Sequence, residues 1–385
     1  MDATGTSLYN YNKKSCKGGK FMRKYYIDNI RQTTVVLVVI YHVIYMFNGI
    51  ISDGVAGPIR EVQYQDAFQY ILYPWFMTLL FIISGISARY SLKQHGTREF
   101  VRARTRKLLV PSTIGLFAFH WIQGYLNMHL SNAFETIPDS TPKPVLYLIM
   151  CVSGTGVLWF IQMLWLFSML LLLVRKWEKG KFSAFCGKLS YSPFALAALG
   201  IAVWGSAQIF NTPLIPVYRF GIYGFAFFLG YYIFSQEKVT DVLSEYGLFF
   251  GGTAVVLAVV YTAVYFGQNY AVSPAVNSPL AAAFLWTACL AILGLMKRYG
   301  NRTDSFTAYM SRKSWGLYIF HYLPISVCGI LFRENQSLPP VCIYLLTGAA
   351  GFAGALLLYE IISRIPFLRW CVLGIRKEKK ETRHV

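Results

Sequence analysis

Residues 32–50 read QTTVVLVVIYHVIYMFNGI, a run free of Asp, Glu, Lys and Arg and rich in Val, Ile and Tyr. About 20 such residues in helical form span the ~30 Å hydrocarbon core of a bilayer, so this stretch predicts a membrane-crossing helix. Similar runs recur at 68–88, 108–126, 155–174, 192–209, 218–235, 247–267, 279–296, 314–332 and 341–363. The expected fold is therefore all-α: a polytopic integral membrane helical bundle of about ten transmembrane helices. Composition agrees, because 55% hydrophobic and 14% charged residues with a mean hydropathy of +0.44 lie far from a soluble globular balance. The segment 145–153 is also apolar and reads as a re-entrant stretch or an extension of the fourth span.

The formal charge of +19 is compatible with a nucleic-acid binder only if the basic residues gather on one binding face. They distribute by topology instead. On the ten-span drawing, 32 of the 36 lysines and arginines fall in segments on the side of the N-terminus, leaving Arg60, Lys143, Arg219 and Arg333 opposite. That asymmetry predicts both termini in the cytoplasm and removes the need for a nucleic-acid partner. The chain divides into a basic cytoplasmic tail at 1–24, a membrane domain at 25–375 and a charged cytoplasmic tail at 376–385. No small-residue cleavage site follows the first tail, which predicts an uncleaved first helix. Seven scattered cysteines, Cys16 among them, lack the paired spacing of a disulfide framework or a metal site, and no metal is expected.

Within the first span, Arg31 and His42 lie eleven residues apart. At ~100° and ~1.5 Å per residue they share nearly one helix face, about 16 Å apart along the axis. One cation thus sits at the membrane edge and one titratable ring deep inside, where an ionisable group is by default a functional candidate. The pair suits gripping an anion at the surface and moving a proton within the bilayer. Gly348, Gly351 and Gly354 in the last span read as helix-packing positions.

The opening Tyr26-Ile-Asp28-Asn-Ile-Arg31, continuing through Val-Val-Ile-Tyr-His42, resembles the start of the acyltransferase-3 family of bacterial integral membrane acyltransferases. Phe81-Ile-Ile-Ser84-Gly85 resembles the family's second-span signature, and Phe100-Val-Arg102-Ala-Arg104-Thr-Arg106-Lys107-Leu-Leu-Val-Pro111 its basic segment entering the third. Trp159-Phe160, Phe227-Phe228-Leu-Gly230 and Ser314-Trp-Gly-Leu-Tyr318-Ile-Phe-His321 follow in the family's order. Where the family often has Arg-x-x-Arg, this chain offers Arg-x-x-Lys from Arg104 to Lys107, or the offset pair Arg102 and Arg106. Ile365-Pro366-Phe-Leu-Arg369 through Gly374 is similar to the end of the glucan-modifying succinyltransferase branch.

The resemblance implies a membrane O-acyltransferase of the bacterial cytoplasmic (inner) membrane. It would move an acetyl or succinyl group from cytoplasmic acyl-CoA, with acetyl-CoA the expected donor, to a hydroxyl of an extracytoplasmic glycan or lipid-linked saccharide. The residue chemistry suits that task. Arg31, Arg102, Arg104, Arg106 and Lys107 can hold the donor's phosphates through charge-assisted contacts. His42, whose ring has an unperturbed pKa near ~6.5, is the candidate catalytic base. Asp28 would orient Arg31 or cap the helix, while Tyr318 and His321, one helical turn apart, would line the cavity unless His321 is a satisfied core residue. Ser84, Tyr45 or a backbone amide would stabilise the oxyanion. A thioester already carries a good leaving group, so no metal is needed. Expected partners are acyl-CoA, the saccharide acceptor and membrane lipid, with a second copy of the chain as a candidate homodimer partner. A transporter or flippase of a polysaccharide intermediate is the alternative, and a non-catalytic sensor on the same scaffold a third.

Overall fold

The computed structural model describes residues 24–50, 54–60, 63–189, 191–212, 217–333 and 338–375. The expected tails, apart from Lys24, lie outside the described residues, as does Cys16. Among the described residues the chain is all-helical, with one isolated antiparallel bridge joining Asn211 to Arg219. The helices that frame the site are α1 (Tyr25–Met46), α2 (Phe76–Gln94), α3 (Thr97–Arg104), α4 (Trp121–Leu130), α5 (Lys143–Ser153), α6 (Trp159–Glu178), α7 (Pro193–Ala207), α8 (Phe220–Leu229), α9 (Glu237–Tyr265), α10 (Pro279–Tyr299), α11 (Ser305–Phe320), α12 (Tyr322–Phe332) and α13 (Pro340–Arg364).

Six helical stretches among the described residues are long and apolar enough to cross a membrane: Tyr25–Met46, Tyr64–Gln94, Gly156–Glu178, Glu237–Tyr265, Pro279–Tyr299 and Pro340–Arg364. Helices α11 and α12 make a seventh if the pair, bent by 49°, is one span. The expected spans 192–209 and 218–235 fall on shorter apolar helices, Pro193–Ala207 and Phe220–Phe234. The 145–153 segment is the separate helix α5, which a turn at Gly154 divides from α6.

The stretch expected to form a third continuous span, 108–126, is broken. Helix α3 runs into a π-helical turn at Thr105–Leu109, a short α segment at Val110–Ser112 and a second π turn at Leu116–His120 before α4 begins. Pro111 is a cause: it has no N–H to offer the Lys107 carbonyl four residues back, and its ring pushes that carbonyl aside. Such π turns are frequent at functional positions. The α11–α12 bend has the same origin. Pro324 cannot donate to Phe320, so the helix turns at His321, the residue between the two segments.

Close backbone approach sets the packing. A Cβ on Gly85 would collide with the Phe227 carbonyl, and one on Gly230 with the Ile82 carbonyl, so α2 and α8 touch main chain to main chain. Gly351 and Gly354 of α13 instead make room for side chains: a Cβ there would lie 3.1 Å from the side chain of Ile325 and 2.9 Å from that of Pro324 of α12. Gly348 has nothing within 4 Å and takes no part. Polar contacts tie down the start of α1. Asn29 donates to the carbonyls of Gly300 and Arg302, each at 2.7 Å, and Lys24 pairs with Glu237, which also meets Lys297 at 2.9 Å.

Candidate active site

Helix α1 carries the two ends of the site. Near its N-terminal end Arg31 donates to Asp28 at 2.9 Å and to Ser87 of α2 at 3.0 Å. Asp28 lies one turn before Arg31, so the ion pair fixes the guanidinium along the helix while Ser87 fixes it across. Ser87 in turn donates to the Ile83 carbonyl at 2.9 Å, which locks its rotamer. The π turn after α3 brings further cations to this end. Arg104 and Lys107 both lie within electrostatic reach of Arg31, and Lys107 also within that of Arg106. Lys107 sits 5.3 Å from the centre of the Trp315 ring of α11, and Arg104 5.1 Å from that of Phe100.

Four of the five expected donor-binding cations therefore converge, and each keeps accessible surface. Arg102 does not join them; its side chain is exposed and forms no hydrogen bond or ion pair among the described residues. Burial, followed by the guanidiniums of Arg31, Arg104 and Arg106, pushes Lys107 down to about 8. A group so placed has unmet demand for an anion.

Three turns further along α1, His42 is met by His321 from the α11–α12 bend. His42 Nδ1 lies 2.8 Å from the Val38 carbonyl and 3.2 Å from His321 Nε2. His321 Nδ1 lies 3.0 Å from the Leu317 carbonyl and 2.8 Å from that of Tyr318. A carbonyl oxygen accepts and never donates, so both Nδ1 atoms carry hydrogen when the rings are neutral. His321 Nε2 is then an acceptor, and the His42 Nδ1–H is shared between it and Val38. What remains is the lone pair on His42 Nε2. The two backbone carbonyls of α11 thus set the tautomer of His321, and His321 helps to set that of His42.

An aromatic collar surrounds the ring. Tyr41, Tyr45 and Tyr322 lie 5.1, 6.0 and 5.0 Å from His42 between ring centres. His42 retains accessible surface inside this collar, whereas His321 is wholly buried. Tyr318 meets His321 through its backbone carbonyl and its ring, 6.3 Å away between ring centres, while its hydroxyl donates to the Val157 carbonyl and its ring stacks on Trp315 at 6.2 Å. Tyr45 stacks on Tyr41 at 5.8 Å. Ser84 is half-buried, one helical turn before Ser87 on α2.

Sequence reasoning missed Ser87, Trp315 and Tyr322. Ser84 and Ser87 at one-turn spacing, and Trp315, Tyr318 and Tyr322 at i, i+3 and i+7, were the available signals of a shared face. Helix α11 accordingly runs beside α1 and touches both ends of the site, Lys107 through Trp315 and His42 through His321. Among the described residues no cluster of His, Cys, Asp and Glu has the geometry to hold a metal.

Neither the search of curated proteins nor that of solved structures gave a match. The family comparison did. A model described as an acyltransferase domain matches residues 24–360, from the start of α1 through Glu360 of α13, and so covers every residue placed at the site above. With apolar helices of membrane-crossing length around a cation cluster and a paired histidine, the chain belongs to the acyltransferase-3 family, as a multi-pass membrane acyltransferase.

Proposed function

We propose that this protein transfers an acetyl or succinyl group from cytoplasmic acyl-CoA to a hydroxyl of an extracytoplasmic glycan or lipid-linked saccharide. The host membrane would be the inner membrane of a bacterium, crossed about ten times with both termini inside. The observation that carries the reading is the His321–His42 contact of 3.2 Å, which leaves one unprotonated imidazole nitrogen in a half-open aromatic collar. Arg31, Arg104, Arg106 and Lys107 form the polyanion site on the same wall. Eleven residues of helix, about 16 Å, separate the two.

Phosphates of the donor sit on the cations, and its pantetheine arm runs along α1 so that the thioester reaches His42. The acceptor hydroxyl gives its proton to His42 Nε2 as its oxygen bonds to the thioester carbon. The carbon–sulfur bond then breaks, and the thiolate takes the proton from the imidazolium. Each group ends neutral as an ester and a thiol, and His42 is restored. His321 accepts the Nδ1–H throughout, which steadies the imidazolium as it forms, so it is a positioning residue.

The test uses purified protein in vesicles with labelled acetyl-CoA and an acceptor glycan. His42→Ala should abolish transfer, by roughly 10²–10⁴-fold, which is the usual worth of a general base. His321→Ala should lower kcat while leaving KM for the donor nearly unchanged, and His321→Gln, whose amide oxygen can accept in place of Nε2, should recover part of the loss. Movement of glycan across the vesicle without acylation, or full activity in His42→Ala, overturns the proposal.

A further inference from the structure

A second cation is buried in the bundle, away from the Arg31 cluster and without an anion. Arg219 precedes α8, is only 4% exposed, and forms no ion pair among the described residues. Its Nη2 donates to the Val276 carbonyl at 3.3 Å and to Asn277 Oδ1 at 2.8 Å, which ties the turn before α8 to the loop before α10. That staple uses one end of the guanidinium. The Nε–H is buried and has no acceptor among the described residues.

Two more donors share the defect. Among the described residues the hydroxyls of Tyr73 and Tyr261 are buried without a hydrogen-bond partner, and both rings lie within electrostatic reach of Arg219 and of each other. Tyr223 completes the cage from α8, its hydroxyl within hydrogen-bonding reach of the guanidinium. An unpaired buried charge is strongly disfavoured, and each unmet donor adds to the cost. A carboxylate or phosphate held here would give the guanidinium its missing partner, and arginine is the residue suited to hold it.

The cage is continuous with the active site. Tyr73 lies 6.2 Å from Tyr41 and within electrostatic reach of Tyr45, and both of those rings flank His42. We infer that Arg219, Tyr73 and Tyr261 form a second anion subsite, which holds a negative charge borne by one of the reactants beyond His42. That the charge belongs to a reactant rests on the acyl-transfer reading; the subsite itself does not. The charge has two sources of the same chemistry: the distal carboxylate of a dicarboxylic acyl thioester, or a phosphate on the acceptor saccharide.

The test measures thermal unfolding of the full chain in nanodiscs with succinate or inorganic phosphate against sodium chloride of equal ionic strength. The expected result is a rise in midpoint of roughly 2 °C. The rise should persist in the Arg31→Gln/Lys107→Gln double variant, vanish in Arg219→Gln and shrink in Arg219→Lys. An equal rise in Arg219→Gln, or none in the unaltered protein, overturns the inference. If Arg219→Gln does not fold, Tyr73→Phe/Tyr261→Phe takes its place, and an unchanged rise there overturns it. Free CoA, titrated in parallel, reports the donor site alone: loss of its effect with the Arg219-dependent rise intact sinks the transfer reading and spares the subsite, and the converse does the reverse. Comparing donors then assigns the source. A roughly tenfold preference for succinyl-CoA over acetyl-CoA that collapses in Arg219→Gln assigns the donor's carboxylate. Equal donor affinities, with an Arg219-dependent rise on adding glucose 1-phosphate, assign the acceptor, and failure of both overturns the inference.

Discussion

Lys107 ties together the chemistry of the donor end, because its charge depends on pH within an accessible range. With its ammonium held down to about 8 by burial and by Arg31, Arg104 and Arg106, it is charged below that value and neutral above it. An anion binds the charged form, so donor affinity should be full near about pH 7 and fall as pH rises through about 8. The fall should approach tenfold per unit until the higher value of the occupied site is passed. Titration of CoA from about pH 7 to about pH 10 checks this, and Lys107→Arg should flatten the curve. An unaltered protein with pH-independent affinity would remove Lys107 from the donor site. At this scale the sequence was informative wherever partners share a helix. Asp28, Arg31 and His42 follow from helical spacing alone, and the structure pairs the first two at 2.9 Å. His321 was legible as a cavity candidate, but its contact with His42 joins residues 279 positions apart and depends on the bend at Pro324. Tyr318 shows the opposite limit: spacing put it on the correct face, and only the fold shows its hydroxyl spent on Val157.

Elements differ in how strictly their sequence is constrained, and the glycines separate the cases. Gly85→Ala or Gly230→Ala would press a methyl group into a backbone carbonyl of the facing helix, which cannot rotate aside. Each should destabilise the protein by about 1–3 kcal/mol, read as a lowered unfolding midpoint in detergent. Gly348→Ala meets nothing within 4 Å and should change stability by no more than about 0.5 kcal/mol. The α11–α12 bend gives a functional counterpart. Pro324→Ala restores the missing N–H, so the helix can straighten and carry His321 away from His42. Transfer activity should fall with no loss of stability; a straightened helix at full activity would show that the His321 contact is dispensable. Continuous apolar runs with few breakers, such as α1 and α10, were readable from composition. The 108–126 stretch was not, because hydropathy scores Pro111 and Gly115 by polarity and is blind to the main-chain hydrogen bond that one removes and the close approach to Cys371 and Val372 that the other permits.

Across the whole molecule, the side on which each loop lies depends on that broken segment. The basic residues divide 32 to 4 between the two faces only if the stretch from α3 to α4 crosses the bilayer. If it re-enters instead, every later loop changes sides, the crossing number becomes odd and the basic loops after it would face outward. Such an arrangement would turn outward the basic loops at 175–188 and 297–313 and the basic tail from 364, so the proposed ten-span topology takes the stretch as a crossing assembled from two π turns and short α segments. Arg98 and Lys143 bracket the segment, and both are exposed. In a background with the seven cysteines replaced, Arg98→Cys should react with an impermeant maleimide only after the membrane is opened, whereas Lys143→Cys should react in intact spheroplasts. Labelling of both from one side would make the segment re-entrant, reverse the later loops and place the C-terminus opposite the donor mouth. Labelling from opposite sides puts the Arg31–Lys107 cluster at the cytoplasmic face, where the proposed acyl-CoA donor would arrive, and leaves the Arg219 cage toward the other. The transfer proposed above requires that separation, since its donor and acceptor would reach His42 from opposite ends of one bundle.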